Sequence, residues 1–193
     1  MSTRLPAAER REQLLDTAMT VFSDHGYHGA SMNDVASEAG VTKPVLYQHF
    51  PSKRDLYLEL IEGVSGELAG AVTSAARSQP DARSQAQAAL TAYFEFVEDN
   101  QRAFRLLFGR GAPREEEFGD SSRIVEDRMA DTITDLLDDR LDKDTKQVIS
   151  RAIVGMSEGA CKHWIAQPDR QPAEELAGRL ADLMVGGLAG LPR

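Results

Sequence analysis

Apolar residues recur every three or four positions along nearly the whole chain, and no segment alternates apolar with polar as a strand does; the pattern predicts an all-helical protein. Leu14, Leu15, Ala18, Val21 and Phe22 mark a first helix between Glu9 and His25, stopped by Gly26. Met32, Val35, Ala36 and Ala39 follow Ser31, a favourable N-cap, and Gly40 supplies the positive φ that ends a helix sharply. A second short helix begins near Thr42 as its cap, takes Pro44 into its first turn, and buries Leu46 and Phe50. Ser52 and Asp55 approximate a capping box for a longer helix, on which Leu56, Tyr57, Leu60, Ile61, Val64 and Leu68 keep one apolar face. Further helical patterns run through Ala89 to Val97, Phe104 to Phe108, Val125 to Leu141, Val148 to Trp164 and Leu176 to Leu188, making about nine helices in all. Gly109 to Asp120, with its run of three glutamates, reads as an exposed loop.

The second of the two short helices has an unusual outer side. Lys43, Val45, Tyr47, Gln48 and His49 lie opposite its apolar row, combining a cation, hydrogen-bonding groups and an aromatic with a polar tip. Helix, glycine turn, helix with a polar outer face is the helix-turn-helix pattern, whose second helix enters the major groove of DNA. Thr42 and Tyr47 suit phosphate oxygens, whereas Lys43 and Gln48 suit base edges. The string AGVTKPVLYQHFPSKRDLY resembles the DNA-binding signature of the TetR family of bacterial transcriptional regulators, with Gly40, Val41, Thr42, Lys43, Tyr47, His49, Phe50 and Lys53 in matching order. The resemblance covers roughly residues 10 to 60. It implies a three-helix DNA-binding domain over residues 1–52 and a larger helical ligand-binding and dimerisation domain over 53–193. Residues expected at DNA are Ser31, Asn33, Thr42, Lys43, Pro44, Val45, Tyr47, Gln48, His49 and Lys53.

A net charge of −9 at first argues against a DNA partner. Its distribution answers the objection: the first 57 residues hold six Lys or Arg against seven Asp or Glu, so the excess acid lies beyond them. Cations group at Arg10 and Arg11 and at Lys43, Lys53 and Arg54, few enough to predict a modest dependence of binding on salt. Met1 to Arg11 is too polar for a signal or anchor, and the apolar run Ala181 to Leu191 is too short to span a bilayer. With one cysteine, Cys161, the expectation is a reducing cytoplasm without disulfides. The predicted helix ends between His25 and His28, and they are not expected to hold metal. Cys161 and His163 stand two apart on a helix, poor geometry for a nucleophile and its base, and no phosphate loop or nucleophile elbow occurs. The reading is therefore not an enzyme and needs no cofactor; a helical protein-interaction module, or a regulator without a small-molecule inducer, is the alternative.

Gly155 and Gly159 on one late helix, and Gly186 and Gly190 on the next, suggest close helix crossing, either within the chain or between two copies. The last two helices read as an antiparallel hairpin that pairs with a second copy through Ile153, Gly155, Gly159, Leu180, Leu183, Met184, Gly187 and Leu188, as TetR-like proteins do. Two copies would read a palindromic or pseudo-palindromic operator with half-sites roughly 34 to 36 Å apart. Tyr93, Phe96, Phe104, Phe108 and Trp164, with Met129, Ile133 and Met156, either fill the core or line an apolar pocket that Arg105 and His163 anchor polarly. The resemblance implies the pocket: a small apolar effector would tilt the fourth helix and release the operator, most simply as a repressor does.

Overall fold

The computed structural model describes residues 6–108 and 121–189. All regular structure among them is helical: α1 (Ala7–Gly29), α2 (Met32–Glu38), α3 (Lys43–His49), α4 (Lys53–Arg77), α5 (Ala82–Asp99), α6 (Gln101–Phe108), α7 (Ser121–Thr134), α8 (Lys143–Ile165) and α9 (Ala173–Ala189). The order is the one the apolar periodicity predicts. Gly26 does break α1, at φ 69°, but one more helical turn follows the kink. The seventh helix stops at Thr134 instead of continuing toward Leu141. There the Asp138 carboxylate accepts the Arg140 backbone N–H at 2.9 Å, a local bond that competes with helix, and Arg140 holds that carboxyl down to about 2. The expected loop at Gly109 to Asp120 lies outside the described residues.

Contacts divide the chain into two compact units. The first runs to Val64 and takes up the chain again from Asn100, so it holds α1 to α3, the first half of α4, and α6. Its buried residues include Leu14, Ala18 and Phe22 of α1, Val35 of α2, Leu46 of α3, Phe50, and Leu56, Tyr57 and Ile61 of α4. Helix α6 lies along α1. Arg102 donates from Nη1 to Thr20 Oγ1 at 3.3 Å, and the buried Tyr57 hydroxyl donates to the Leu106 carbonyl at 3.0 Å. No sequence window around α6 announces this attachment, because it depends on a bond between residues far apart in the chain.

The second unit holds Ser65–Asp99 and the chain from Ile124 onward. Here α9 packs chiefly along α5, rather than forming a tight hairpin with α8. Ala173, Ala177 and Ala181, each four residues from the next, are buried, and side chains this small let two helix backbones approach. Arg83 on α5 meets Asp182 on α9 at 2.7 Å. The link between α8 and α9 is tied down separately: Trp164 Nε1 donates to the Gln171 carbonyl at 2.7 Å, and the Arg170 guanidinium lies 5.2 Å from the Trp164 ring and pairs with Glu98.

Gly40 adopts φ 66° in the turn between α2 and α3, and a Cβ there would meet nothing within 4 Å. Any cost of substituting it therefore comes from the backbone alone. Gly40→Ala is expected to lower stability by about 1–2 kcal/mol, read as a lower urea midpoint with unchanged slope. An unmoved midpoint would show that the turn does not require the left-handed conformation.

Candidate nucleic-acid interface

Local bonds fix the α2–α3 pair from both ends. At the start of α2, the Ser31 backbone N–H donates to Asp34 Oδ2 at 2.8 Å, the Ser31 hydroxyl donates to the same oxygen at 2.7 Å, and Asp34 N–H donates back to Ser31 Oγ at 3.2 Å. The Ser31 hydroxyl, and then its amide, hold the Asp34 carboxyl below the usual carboxylate range. At the far end the Val41 N–H reaches the Ala36 carbonyl at 2.9 Å and the Gly40 N–H reaches Ser37 at 3.1 Å. That pair of bonds is the Schellman closure, which satisfies carbonyls the helix end leaves open and needs Gly40 where it is.

Helix α3 then starts from Thr42, whose backbone has N-cap geometry although its hydroxyl makes no capping bond, contrary to expectation. Leu46 is 0% exposed and the C-cap residue Phe50 is 1% exposed, and together they pin the inner side. The other side is open: Lys43, Pro44, Gln48 and Tyr47 are exposed, Tyr47 at 47%, while Val45 and His49 are half-buried at the margins. Asn33 is exposed on α2, and Ser31 is exposed with its hydroxyl engaged in the cap. Most residues expected at DNA are thus exposed.

The cations are less uniformly available than the sequence suggests. Lys53 Nζ donates to the backbone carbonyls of Tyr27 at 2.7 Å and Ala30 at 2.9 Å, and lies 4.2 Å from the centre of the Tyr27 ring. Arg11 lies 4.7 Å from the Phe50 ring centre and pairs with Glu59, and Arg10 bonds Gln13 at 2.6 Å. Lys43 and Arg54 remain exposed. The sequence reading passed over Tyr27. Its ring sits 4.9 Å from Tyr57 and 6.0 Å from Phe22, and the visible signal was an aromatic placed just after the helix-breaking Gly26.

The residues expected to form a pocket divide between the two compact units. Tyr93, Met129 and Trp164 are buried, Phe96, Ile133 and Met156 are half-buried, and His163 is exposed and bonded to Gln167 at 2.6 Å. Half-buried Phe104 and exposed Arg105 belong to the first unit, and the Phe108 side chain lies outside the described residues. None of them lines the groove of about 580 Å³ in the second unit, whose walls include Thr73 and Arg77 of α4 and Asp127, Arg128 and Asp131 of α7. The buried Cys161 thiol is pushed up to about 11 by burial, so it stays protonated at neutral pH and is no nucleophile. Among the described residues, no three His, Cys, Asp or Glu side chains converge as a metal site, and no helix is long and apolar enough to cross a membrane.

Of the residues expected at a dimer contact, Ile153 is buried, Leu180 and Met184 are half-buried, and Gly155, Gly159, Gly187 and Leu183 are exposed, Leu183 at 62%. The Leu188 side chain lies outside the described residues. A Cβ at Gly155, Gly159, Gly186 or Gly187 would meet nothing within 4 Å, so among the described residues no contact calls for glycine there.

Two family matches cover most of the chain. Residues 14–60 match "Bacterial regulatory proteins, tetR family", and residues 82–187 match "Tetracyclin repressor-like, C-terminal domain". The chain is 34% identical over 191 residues to the "HTH-type transcriptional activator FasR" of Mycolicibacterium smegmatis, covering 98% of this chain and 87% of that protein. A crystal structure of a TetR-like transcriptional regulator from Rhodococcus sp. RHA1 superposes with a TM-score of 0.75 at 30% identity, covering 97% of this chain and all of that one. The transcriptional regulator FadR from Bacillus subtilis, solved in complex with stearoyl-CoA, shares the fold at a TM-score of 0.74 and 16% identity, over 91% of this chain and 98% of that one. With a helix-turn-helix closed by these caps and both halves matched, the chain belongs to the TetR family of bacterial transcriptional regulators, which are DNA-binding proteins and not enzymes.

Proposed function

We propose that α3 lies in the major groove of an operator, with Lys43 and Gln48 at base edges and Thr42 and Tyr47 at the sugar-phosphate backbone. The observation that carries this reading is the outward face of α3: its inner anchors are fully buried and its outer side chains are not. Asn33, Ser31, Pro44, Val45 and His49 flank that face and shape its fit to the groove. Two copies pair through the open glycines of α8 and α9 and the exposed Leu183, where a second copy's helices can approach without displacing any side chain. Pairing gives an operator of two half-sites, and duplex DNA as the partner places the protein in the cytoplasm.

Regulation by a small molecule with an apolar body follows the same logic. The relative solved with stearoyl-CoA makes a long-chain acyl thioester the first class to try. Helix α4 belongs to both compact units, so a ligand that displaces its second half also moves its first. Whether the bound protein blocks or recruits polymerase depends on where the operator lies relative to the promoter. The sequence favoured a repressor; the relative aligned along nearly the full chain is named an activator, and mapping the operator decides between them.

Lys43→Ala with Tyr47→Ala is expected to abolish a salt-sensitive gel shift on promoter DNA while leaving the free energy of unfolding within about 0.5 kcal/mol of wild type, as surface changes do. Retained binding would turn the reading toward a protein-interaction module. Stearoyl-CoA is expected to weaken operator binding by about 5- to 150-fold, corresponding to a coupling of about 1–3 kcal/mol. Operator affinity that ignores it would remove the acyl effector and leave DNA reading in place.

A further inference from the structure

Lys53 opens α4, beside the recognition unit, where a lysine invites assignment as a phosphate contact. Its surroundings point elsewhere. Two donors of the ammonium go to the Tyr27 and Ala30 carbonyls at 2.7 and 2.9 Å, and the aromatic face of Tyr27 lies 4.2 Å away. Those carbonyls belong to a particular piece of chain. Beyond the Gly26 kink, residues 27–29 form a single helical turn, too short to satisfy its own carbonyls, and a cation suits the carbonyl end of a helix. Ala30 directly precedes Ser31, which caps α2, and α2 hands its orientation to α3 through the Schellman turn. One ammonium therefore joins the start of α4 to the start of the helix-turn-helix.

Resting on the DNA reading above, we infer that Lys53 is a positioning residue. It raises operator affinity by holding the α1–α2 joint against α4, and not by neutralising a phosphate. The ion pair of Arg11 with Glu59, and the stacking of Arg11 on Phe50, brace the other end of α3 in the same manner. Two of the cations that the sequence places near the duplex thus act inside the recognition unit. Leaving its carbonyls for a phosphate would cost Lys53 two charge-assisted bonds.

Two measurements on full-length Lys53→Met, which keeps the apolar stem, test this. Hydrogen exchange on the free protein is expected to quicken at residues 27–35 and to stay unchanged in α5 and α9; unchanged protection at 27–35 overturns the latch whether or not DNA binds. Operator binding followed over a salt series is expected to weaken by about tenfold at every salt, a change of about 1.4 kcal/mol, with the log–log slope of wild type. A slope shallower by about 0.9 per subunit would mean that Lys53 neutralises a phosphate and would overturn the proposal. Absence of wild-type binding would refute the DNA reading, while the exchange result would still decide the latch. Lys53→Gln, which removes the charge but keeps an amide donor, carries both measurements if the Met variant fails to fold; the same outcomes count for and against.

Discussion

A helix of seven residues does not hold itself together in water, because nucleation costs more than its few bonds return. Helix α3 exists because Leu46 and Phe50 are fully buried against the first unit, while the α2–α3 turn leaves the chain little choice of direction. That burial fixes the rotation of α3 about its own axis. Rotation in turn decides which side chains face outward, and Lys43, Tyr47 and Gln48 do so because Leu46 cannot. On the proposed reading, recognition by α3 therefore depends on the packing of Leu46 and Phe50 beneath it.

Local chemistry was legible in the sequence because its partners sit close along the chain. Ser52 and Asp55 are three residues apart, Gly40 declares its own φ, and Pro44 fits only the first turn of a helix. What could not be read were partners brought together by folding. Lys53 finds carbonyls 23 and 26 residues away, Tyr57 finds one 49 residues away, and nothing in a window around any of them reveals it. Helix periodicity told which face of α9 is apolar but not that α5 would be its neighbour, and the buried alanines show their purpose only once that neighbour is in place. The aromatics were ambiguous for a related reason: a buried Trp164 looks the same in sequence whether it faces a cavity or, as here, Phe94 at 5.7 Å between ring centres.

Charge is arranged to match this division of labour. The recognition end is close to neutral, with several of its cations engaged internally, and the acidic excess lies farther along the chain. On the proposed reading such a surface gives little sequence-independent attraction to DNA, and discrimination falls to the few side chains on α3 and to the spacing of two copies. Helix α4 runs from Lys53 to Arg77 and contributes residues to both compact units.

The account rests on α3 being offered twice, by paired subunits, to one face of a duplex. Methylation interference on the protein's own highest-affinity genomic site measures this most directly. Two major-groove patches of essential guanines, related by a dyad and centred roughly 34 to 36 Å or a whole multiple of that apart, are the predicted result. A single patch without symmetry, or interference confined to the minor groove, would contradict it.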